Sequence, residues 1–337
     1  MLNHPGSLSK RPGVNARAIR SDTLDVLAEV VQTLGLRTRI FCRSSLGAPW
    51  TLAMSRGAFA HFHAIQKGDA FLLLTGRAPL ALKAGDLIIL MRGQSHWLAS
   101  SAKRTAPALR VSATDDARCA VLANSKEGPR TQMLCGAFSF IHREAHPLGA
   151  LLPEIIHIPS ATAAPLKASM RLLWQEVREQ RPGSRAIATR LTDCIFIQAL
   201  RVLLEQGDSA LPGWLGALRD MHIGRALAQL HADPARAWTV AELAGRVGMS
   251  RSPFAARFKR LVGMPPLGYL AGLRLQKAAA MLLESRLALS EVASAAGYQS
   301  ESAFSKVFRR TFGSPPGAYR RALGGNGSHD VTQVADS

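Results

Sequence analysis

Two stretches near the carboxyl end of this 337-residue chain repeat each other. Residues 254–269 read FAARFKRLVGMPPLGY, and residues 304–319 read FSKVFRRTFGSPPGAY. Two phenylalanines, a glycine, a proline pair and a tyrosine match at a constant separation of 50 residues. An internal repeat of this kind indicates two copies of one supersecondary unit.

Each copy is predicted to be a helix, a tight turn and a second helix. In the first copy, Thr239 and Glu242 form a capping box that begins a short helix, and Gly248 has the conformational freedom to end it. Ser250 is expected to cap the next helix, and Ser300 takes that position in the second copy. Two helices joined by a short turn, the second bearing polar and basic side chains, are typical of a helix-turn-helix.

Positive charge is concentrated around the repeat. The chain has a formal net charge of +19. Residues 221–321 contain 15 Lys and Arg against 5 acidic residues, whereas residues 1–220 contain 27 against 16. This distribution favours nucleic acid over an anionic membrane as the partner, because the charge coincides with the helix-turn-helix pattern.

The rest of the composition points to a cytoplasmic protein. No apolar run reaches the ~18 residues that a membrane-spanning helix needs, and residues 1–20 lack the apolar core of a secretory signal. The four cysteines show no paired spacing, so a disulfide framework is not expected. We therefore expect a cytoplasmic location and no membrane association.

The fold is predicted to be α+β, with a β-barrel ahead of helices. Short apolar runs separated by Gly, Pro and Ser over residues 21–150 are typical of a sandwich or barrel. Apolar residues then recur at helical spacing, which predicts a helical segment over residues 151–220, either a spacer or a dimerisation surface. Residues 221–322 form the helix-turn-helix domain. Residues 1–20 and 323–337 are expected to be a flexible arm and tail.

Three histidines and a lysine form the candidate site of the barrel. His61 and His63 alternate on one face of a predicted strand, and His96 follows a Gly-Asp turn. Lys67 is predicted to share their face, where its charge would oppose a metal ion. One interpretation is an effector site in which these four residues bind an anionic or polar small molecule. The alternative is a metal-dependent enzyme with the three histidines as ligands, and a third is a barrel that only dimerises.

Two parts of the chain resemble known families. Residues 221–322 resemble the DNA-binding domain of AraC/XylS transcription regulators, with residues 297–305 (GYQSESAFS) and 312–320 (FGSPPGAYR) closest to the family pattern. Residues 21–150 resemble a cupin-like ligand domain, through the His-x-His pair and the later histidine. Gln66 and Lys67 stand where a cupin metal site needs a glutamate. The resemblance implies a DNA-binding transcription regulator controlled by a small-molecule effector, without catalytic activity or cofactor; a metal-dependent cupin enzyme fused to a DNA-binding module stays the alternative.

The predicted DNA contacts lie on the second helix of each copy. In the AraC/XylS family, base-reading positions match Ser252, Ala255 and Ala256 in the first copy and Glu301, Ser302 and Lys306 in the second. With neighbouring polar and basic residues, the full predicted set is Arg251, Ser252, Ala255, Ala256, Arg257, Arg260, Ser300, Glu301, Ser302, Ser305, Lys306, Arg309 and Arg310. Residues 266–284 are predicted to form one helix of ~27 Å. This connector would place the two reading helices about one turn of duplex apart. Double-stranded DNA, a second copy of the chain and RNA polymerase are the expected macromolecular partners.

Overall fold

The computed structural model of the protein describes residues 26–34, 36–111, 119–140, 152–205 and 214–324. The predicted arm at residues 1–20 and most of the predicted tail at residues 323–337 lie outside these ranges. Within them, strands dominate the first part of the chain and helices the second, as expected for an α+β protein.

One short helix precedes the strands, which form two sheets. The elements are α1 (Val26–Leu34), β1 (Leu36–Gly47), β2 (Thr51–Met54), β3 (Ala60–Lys67), β4 (Ala70–Leu73), β5 (Leu80–Leu82), β6 (Leu87–Leu90), β7 (His96–Ala99), β8 (Ala108–Val111), β9 (Ala120–Ala123), β10 (Arg130–Phe140) and β11 (Ile155–Ile158). The first sheet has the order β11-β6-β3-β10-β1-β9, and the second has the order β5-β4-β7-β2-β8. The predicted barrel is thus observed, among the described strands, as two separate sheets.

The alternation of side chains along β3 places the two faces of the first sheet in different cores. Ile65 belongs to a buried cluster that also contains Leu52 and Leu98 from the second sheet, so this face of β3 lies between the sheets. Phe62 points the other way and packs against Phe138 of β10, with ring centroids 4.9 Å apart. His61 and His63 share the face of Ile65 because side chains two residues apart point to the same side of a strand. The fold therefore places both histidines between the two sheets.

The first sheet continues into the segment predicted to be a helical linker. β11 pairs antiparallel with β6, with Ile156 opposite Ile89. The next helices are α2 (Ala164–Glu179) and α3 (Ser184–Glu205). α3 packs on the outer face of the sheet, where the ring of Phe196 lies 4.9 Å from that of Phe138. The predicted boundary at residue 150 therefore falls before the last strand, and α2 and α3 cover a sheet face that would otherwise expose apolar residues.

Eight helices follow in the described part of the chain. They are α4 (Trp214–Arg219), α5 (Met221–Ala232), α6 (Val240–Arg246), α7 (Arg251–Val262), α8 (Pro266–Glu284), α9 (Leu289–Ala295), α10 (Glu301–Phe312) and α11 (Pro316–Gly324). α8 has the predicted bounds of the connecting helix. Phe254 and Phe258 of α7 belong to a core shared with the strand region, whereas Phe304 and Phe308 of α10 belong to a separate core.

Candidate nucleic-acid interface and effector site

α6 and α7 form the first helix-turn-helix. The Thr239 hydroxyl accepts a hydrogen bond from the backbone N–H of Glu242 at 3.1 Å, which confirms the predicted cap. The Glu242 carboxylate pairs with Arg236 instead of completing the capping box. Gly248 has a φ of +71°, as the turn requires. Ser250 occupies the N-cap position of α7 but makes no capping hydrogen bond with its side chain, which corrects that expectation.

α9 and α10 form the second helix-turn-helix. The Ser300 hydroxyl accepts a hydrogen bond from the backbone N–H of Ala303 at 3.2 Å, so the predicted cap of α10 is confirmed. The same hydroxyl lies 3.2 Å from that of Ser302. Gly297 takes a φ of +77° in the turn. The structure thus gives Ser300 a capping role, and its contact with DNA stays a prediction.

α7 and α10 each bury one face and expose the other. Phe254 and Phe258 are fully buried, as are Phe304 and Phe308. The exposed members of the predicted contact set on the two helices are Arg251, Ser252, Ala256, Arg260, Glu301, Ser302, Lys306, Arg309 and Arg310. Ala255 and Ser305, which match in the repeat, are half-buried. Each unit therefore presents a polar and mostly basic helix face to a ligand.

Lys259 is a further basic residue of α7 that the predicted contact set did not include. It is exposed on α7, next to Arg260. Its repeat equivalent, 50 residues later, is Arg309, which was included in the predicted set. The match with Arg309 is the signal in the sequence that places Lys259 with the other basic residues.

Arg257 is half-buried and pairs with a carboxylate of the protein, and its contact with DNA stays a prediction. Its Nε donates a hydrogen bond to Oδ2 of Asp220 at 2.8 Å, and the other carboxylate oxygen caps α5 by accepting from the backbone N–H groups of His222 and Ile223. Burial raises the pKa of Asp220, but the hydrogen bonds from Ile223 and Arg257 outweigh it and leave the pKa below its ordinary value. Arg257 thus joins α7 to the start of α5. Its repeat equivalent is the apolar Val307, a signal that the position is structural.

The three histidines of the predicted effector site meet between the sheets. His63 of β3 and His96 at the start of β7 face each other, with 2.8 Å between their Nε2 atoms. The ring of His61 lies 5.1 Å from that of His96 and 5.1 Å from that of Phe59. His61, His63 and His96 are all buried. The prediction that they converge is therefore supported by their placement.

Hydrogen bonding determines which ring nitrogens carry protons. Nδ1 of His96 lies 2.8 Å from the carbonyl oxygen of Gln94, and a carbonyl only accepts, so this nitrogen donates. In a neutral ring, Nε2 of His96 then accepts from Nε2–H of His63. The remaining nitrogen of His63, Nδ1, is thereby an acceptor, and it has no hydrogen-bond partner in the described part of the chain. A ligand with a hydrogen-bond donor would satisfy this atom.

Burial keeps these imidazoles neutral. It lowers the pKa of His61 to about 4. It also lowers the pKa of His96 to about 3, although the hydrogen bond to Gln94 acts in the opposite direction. Burial lowers the pKa of His63 as well, and the charges of His96 and His61 add to the effect. The site is therefore uncharged at neutral pH.

Lys67 does not share this environment. It is exposed at the end of β3. A register shift places Lys67 opposite Gln132, whereas Ile65 lies opposite the neighbouring Met133. An extra residue in one strand reverses the facing of the residues after it, so Lys67 points away from the face of the histidines. The prediction that Lys67 places a positive charge at the histidine site is wrong, and the site contains only neutral side chains.

A metal ion does not fit the cluster as arranged. His63 and His96 direct their Nε2 atoms at each other. Across the described ranges, no three His, Cys, Asp or Glu side chains are grouped so that they could hold a metal ion. Gln66 and Lys67 occupy the strand end where a carboxylate ligand would stand, and both are exposed. The residues present therefore do not support the metal-dependent alternative.

Comparison with known proteins covers both halves of the chain. A family profile described as cupin matches residues 25–205, and one described as helix-turn-helix domain matches residues 243–322. A Streptomyces lividans protein named as an AraC-like transcription regulator is 35% identical over 304 residues, which span 88% of this chain and 98% of that protein. The chain belongs to the AraC-like transcription regulators. A Streptomyces antibioticus protein of the same name is 34% identical over 88% of this AraC-like regulator and 99% of its own length.

Family membership makes this AraC-like regulator a DNA-binding transcription factor with a cupin domain ahead of its helix-turn-helix units. Among solved structures, the DNA-binding domain of AdpA in complex with a target DNA is 36% identical. The match covers 31% of the AraC-like regulator and 92% of that domain, with a TM-score of 0.29. In the residues that the structure describes, every helix is too short or too polar to cross a membrane.

Proposed function

We propose that the chain is a one-component regulator that binds DNA through α7 and α10 together. The observation that carries this proposal is the duplicated exposed face: both helices present basic side chains, and each is anchored by its own matching pair of buried phenylalanines. They are connected through α8, whose 19 residues span about 28 Å. That length suits two successive major grooves on one side of the duplex, about 34 Å apart.

The contacts divide into base reading and phosphate binding. The amino-terminal halves of α7 and α10 carry Ser252, Ala256, Ser302 and Lys306, which we assign to base edges. Arginine and lysine side chains later in the helices, represented by Arg310, bind phosphates. Ala256 offers only a methyl group, which suits the methyl of thymine. The second unit therefore supplies most of the polar base recognition.

The buried histidine cluster is the proposed effector site. The ligand it suits is an uncharged small molecule with a hydrogen-bond donor, since Nδ1 of His63 is a buried acceptor and the site is neutral. The histidines lie between the two sheets, in the same layer as an apolar core to which both sheets contribute, including Ile65 and Leu98. The lysine that suggested an anionic effector lies elsewhere. A charged ligand would lose hydration without a partner of opposite charge.

The packing of α1 suggests how an effector would affect DNA binding. α1 contacts both α5 and α8. The Glu29 carboxylate of α1 lies 3.0 Å from the ammonium group of Lys277 in α8. The helices on either side of the first helix-turn-helix thus contact α1, and the first unit shares a core with the strand region, whereas the second has its own core. An effector that changes this packing would shift the orientation of the first unit.

The remaining roles belong to the same proposal. We expect no catalytic activity, a cytoplasmic location, a homodimer and contact with RNA polymerase at the promoter. The experiment that tests the proposal is selection of binding sites from genomic fragments by the full chain, followed by a titration with increasing salt. Specific sites bound with a steep salt dependence support it, and the absence of any preferred site would refute it.

A further inference from the structure

The two turn glycines of the repeat have different surroundings. Gly248 and Gly297 hold the same place between the helices of their units, and both have positive φ, +71° and +77°. A Cβ added at Gly248 would meet nothing within 4 Å. A Cβ added at Gly297 would lie 2.9 Å from the carbonyl oxygen of Ala235 and 3.0 Å from its Cα. The backbone between α5 and α6 therefore lies directly on the turn of the second unit.

Arg274 of α8 holds this loop in place. Its Nε donates a hydrogen bond to the carbonyl oxygen of Pro234 at 2.7 Å. Its Nη2 donates to the carbonyl oxygens of Arg236 at 2.9 Å and Ala235 at 3.3 Å. The Cζ atom of the same guanidinium lies 3.1 Å from where a Cβ of Gly297 would be. One planar side chain thus lies between the loop of the first unit and the turn of the second.

The loop itself is fixed by further contacts. The indole N–H of Trp238 donates to the carbonyl oxygen of Asp233 at 2.8 Å, and the Asp233 carboxylate accepts from the backbone N–H of Arg236 at 3.2 Å. The guanidinium of Arg236 lies over the Trp238 ring, 4.7 Å from its centroid. These contacts hold the loop between α5 and α6 in one conformation.

We propose that Ala235, Arg274 and Gly297 form a brace that sets the distance and angle between α7 and α10. α8 packs into the cores of both units, and the brace adds a direct contact between the loop before α6 and the turn of the second unit. The brace makes the spacing of the two DNA subsites a property of the protein, so these residues determine specificity without touching a base. The proposal rests on the DNA-binding role of α7 and α10 given above.

The test compares two glycine variants of the full chain. Both Gly248→Ala and Gly297→Ala place a Cβ at positive φ and share that backbone cost, but only Gly297→Ala meets the Ala235 carbonyl. A site selected from random DNA by the wild type is then lengthened or shortened by one base pair between its two protected grooves. Each change turns one subsite by about 34° relative to the other.

The expected result is a difference in tolerance to spacing. The wild type and Gly248→Ala should lose about tenfold in affinity for the altered sites, whereas Gly297→Ala should bind all three within about threefold. Arg274→Lys keeps the charge but loses the planar set of donors, so it should tolerate the altered spacings as Gly297→Ala does. If Gly297→Ala fails to fold, Arg274→Lys alone tests the brace.

The possible results distinguish a failure of the brace proposal from a failure of the proposed DNA binding by α7 and α10. Variants at Gly297 and Arg274 that keep the spacing preference of the wild type would overturn the brace, as would a wild type that is indifferent to spacing. A wild type that selects no DNA, or protects a single groove, would instead refute the proposed binding by two units.

Discussion

Nε of Arg257 donates a hydrogen bond to the Asp220 carboxylate at 2.8 Å, and this pair links α7 to the capped start of α5. The carboxylate is mostly buried, with 10% of its side chain exposed, whereas 40% of the Arg257 side chain is exposed. A partly exposed basic residue on a helix that is expected to bind DNA is thus paired with a carboxylate of the protein.

Replacing Arg257 with Ala should therefore lower stability rather than sequence discrimination. We expect a loss of about 1 kcal/mol from Arg257→Ala, since the pair is partly solvated. Asp220→Ala, which also removes the cap of α5, should cost about 2 kcal/mol. Chemical denaturation of the two variants and the double variant measures the coupling. A large change of base preference in Arg257→Ala, with unchanged stability, would show that the arginine reads DNA after all.

Replacing Lys306 with Ala should weaken specific DNA binding. The side chain is exposed on the amino-terminal half of α10, where a base-reading residue is expected. We expect a loss of about 1–3 kcal/mol on the selected site and a relaxed preference at one base position. Fluorescence anisotropy with single-base variants of the site provides the measurement. Lys103→Ala, which removes an exposed lysine of the strand region, serves as the control of equal charge.

The buried histidines should make the protein less stable in acid. His61, His63 and His96 between the sheets, and the buried His231 near the end of α5, have lowered pKa values because burial disfavours the charged ring. They are neutral in the folded protein, while the unfolded chain takes up protons below a pH of about 6.5. Stability is therefore fully present above that pH and decreases as the pH falls toward about 4 for His61 and about 3 for His96 and His231.

A replacement of one histidine measures its share of this dependence. His61→Gln should flatten the stability profile between pH 6.5 and pH 4.5 by up to about 1.4 kcal/mol per pH unit. Denaturation midpoints of the wild type and the variant across this range are the relevant data. Identical slopes would mean that His61 titrates normally and is not buried as described.

The separate cores predict unequal effects of matched phenylalanine replacements. Phe254 and Phe304 occupy the same place in the repeat and both are fully buried. Either change to Ala should cost about 3–5 kcal/mol. Phe304→Ala should loosen only the second unit, whereas Phe254→Ala should also loosen the strand region, with which it shares a core. Amide hydrogen exchange resolves the two patterns. Uniform loss of protection in both variants would contradict the division into cores.

The repeat allowed much of the structure to be predicted from the sequence. It gave both helix-turn-helix units, the bounds of α8 and the buried phenylalanines, because these depend on local capping and periodicity. Lys67 was placed wrongly because a register shift is a property of two strands, and strict alternation does not reveal it. The role of Arg257 depends on Asp220, 37 residues earlier in the chain, so its partner could not be found from local pattern. The brace at Gly297 likewise depends on a loop distant in sequence.

The central claim is that one chain reads two successive major grooves through α7 and α10. Hydroxyl-radical and methylation footprinting of the full protein on its selected site tests this claim most directly. We predict two protected major-groove segments about one helical turn apart on the same face of the duplex, with protection of the second segment weakened in Lys306→Ala. A single protected segment, or two segments unaffected by that replacement, would contradict it.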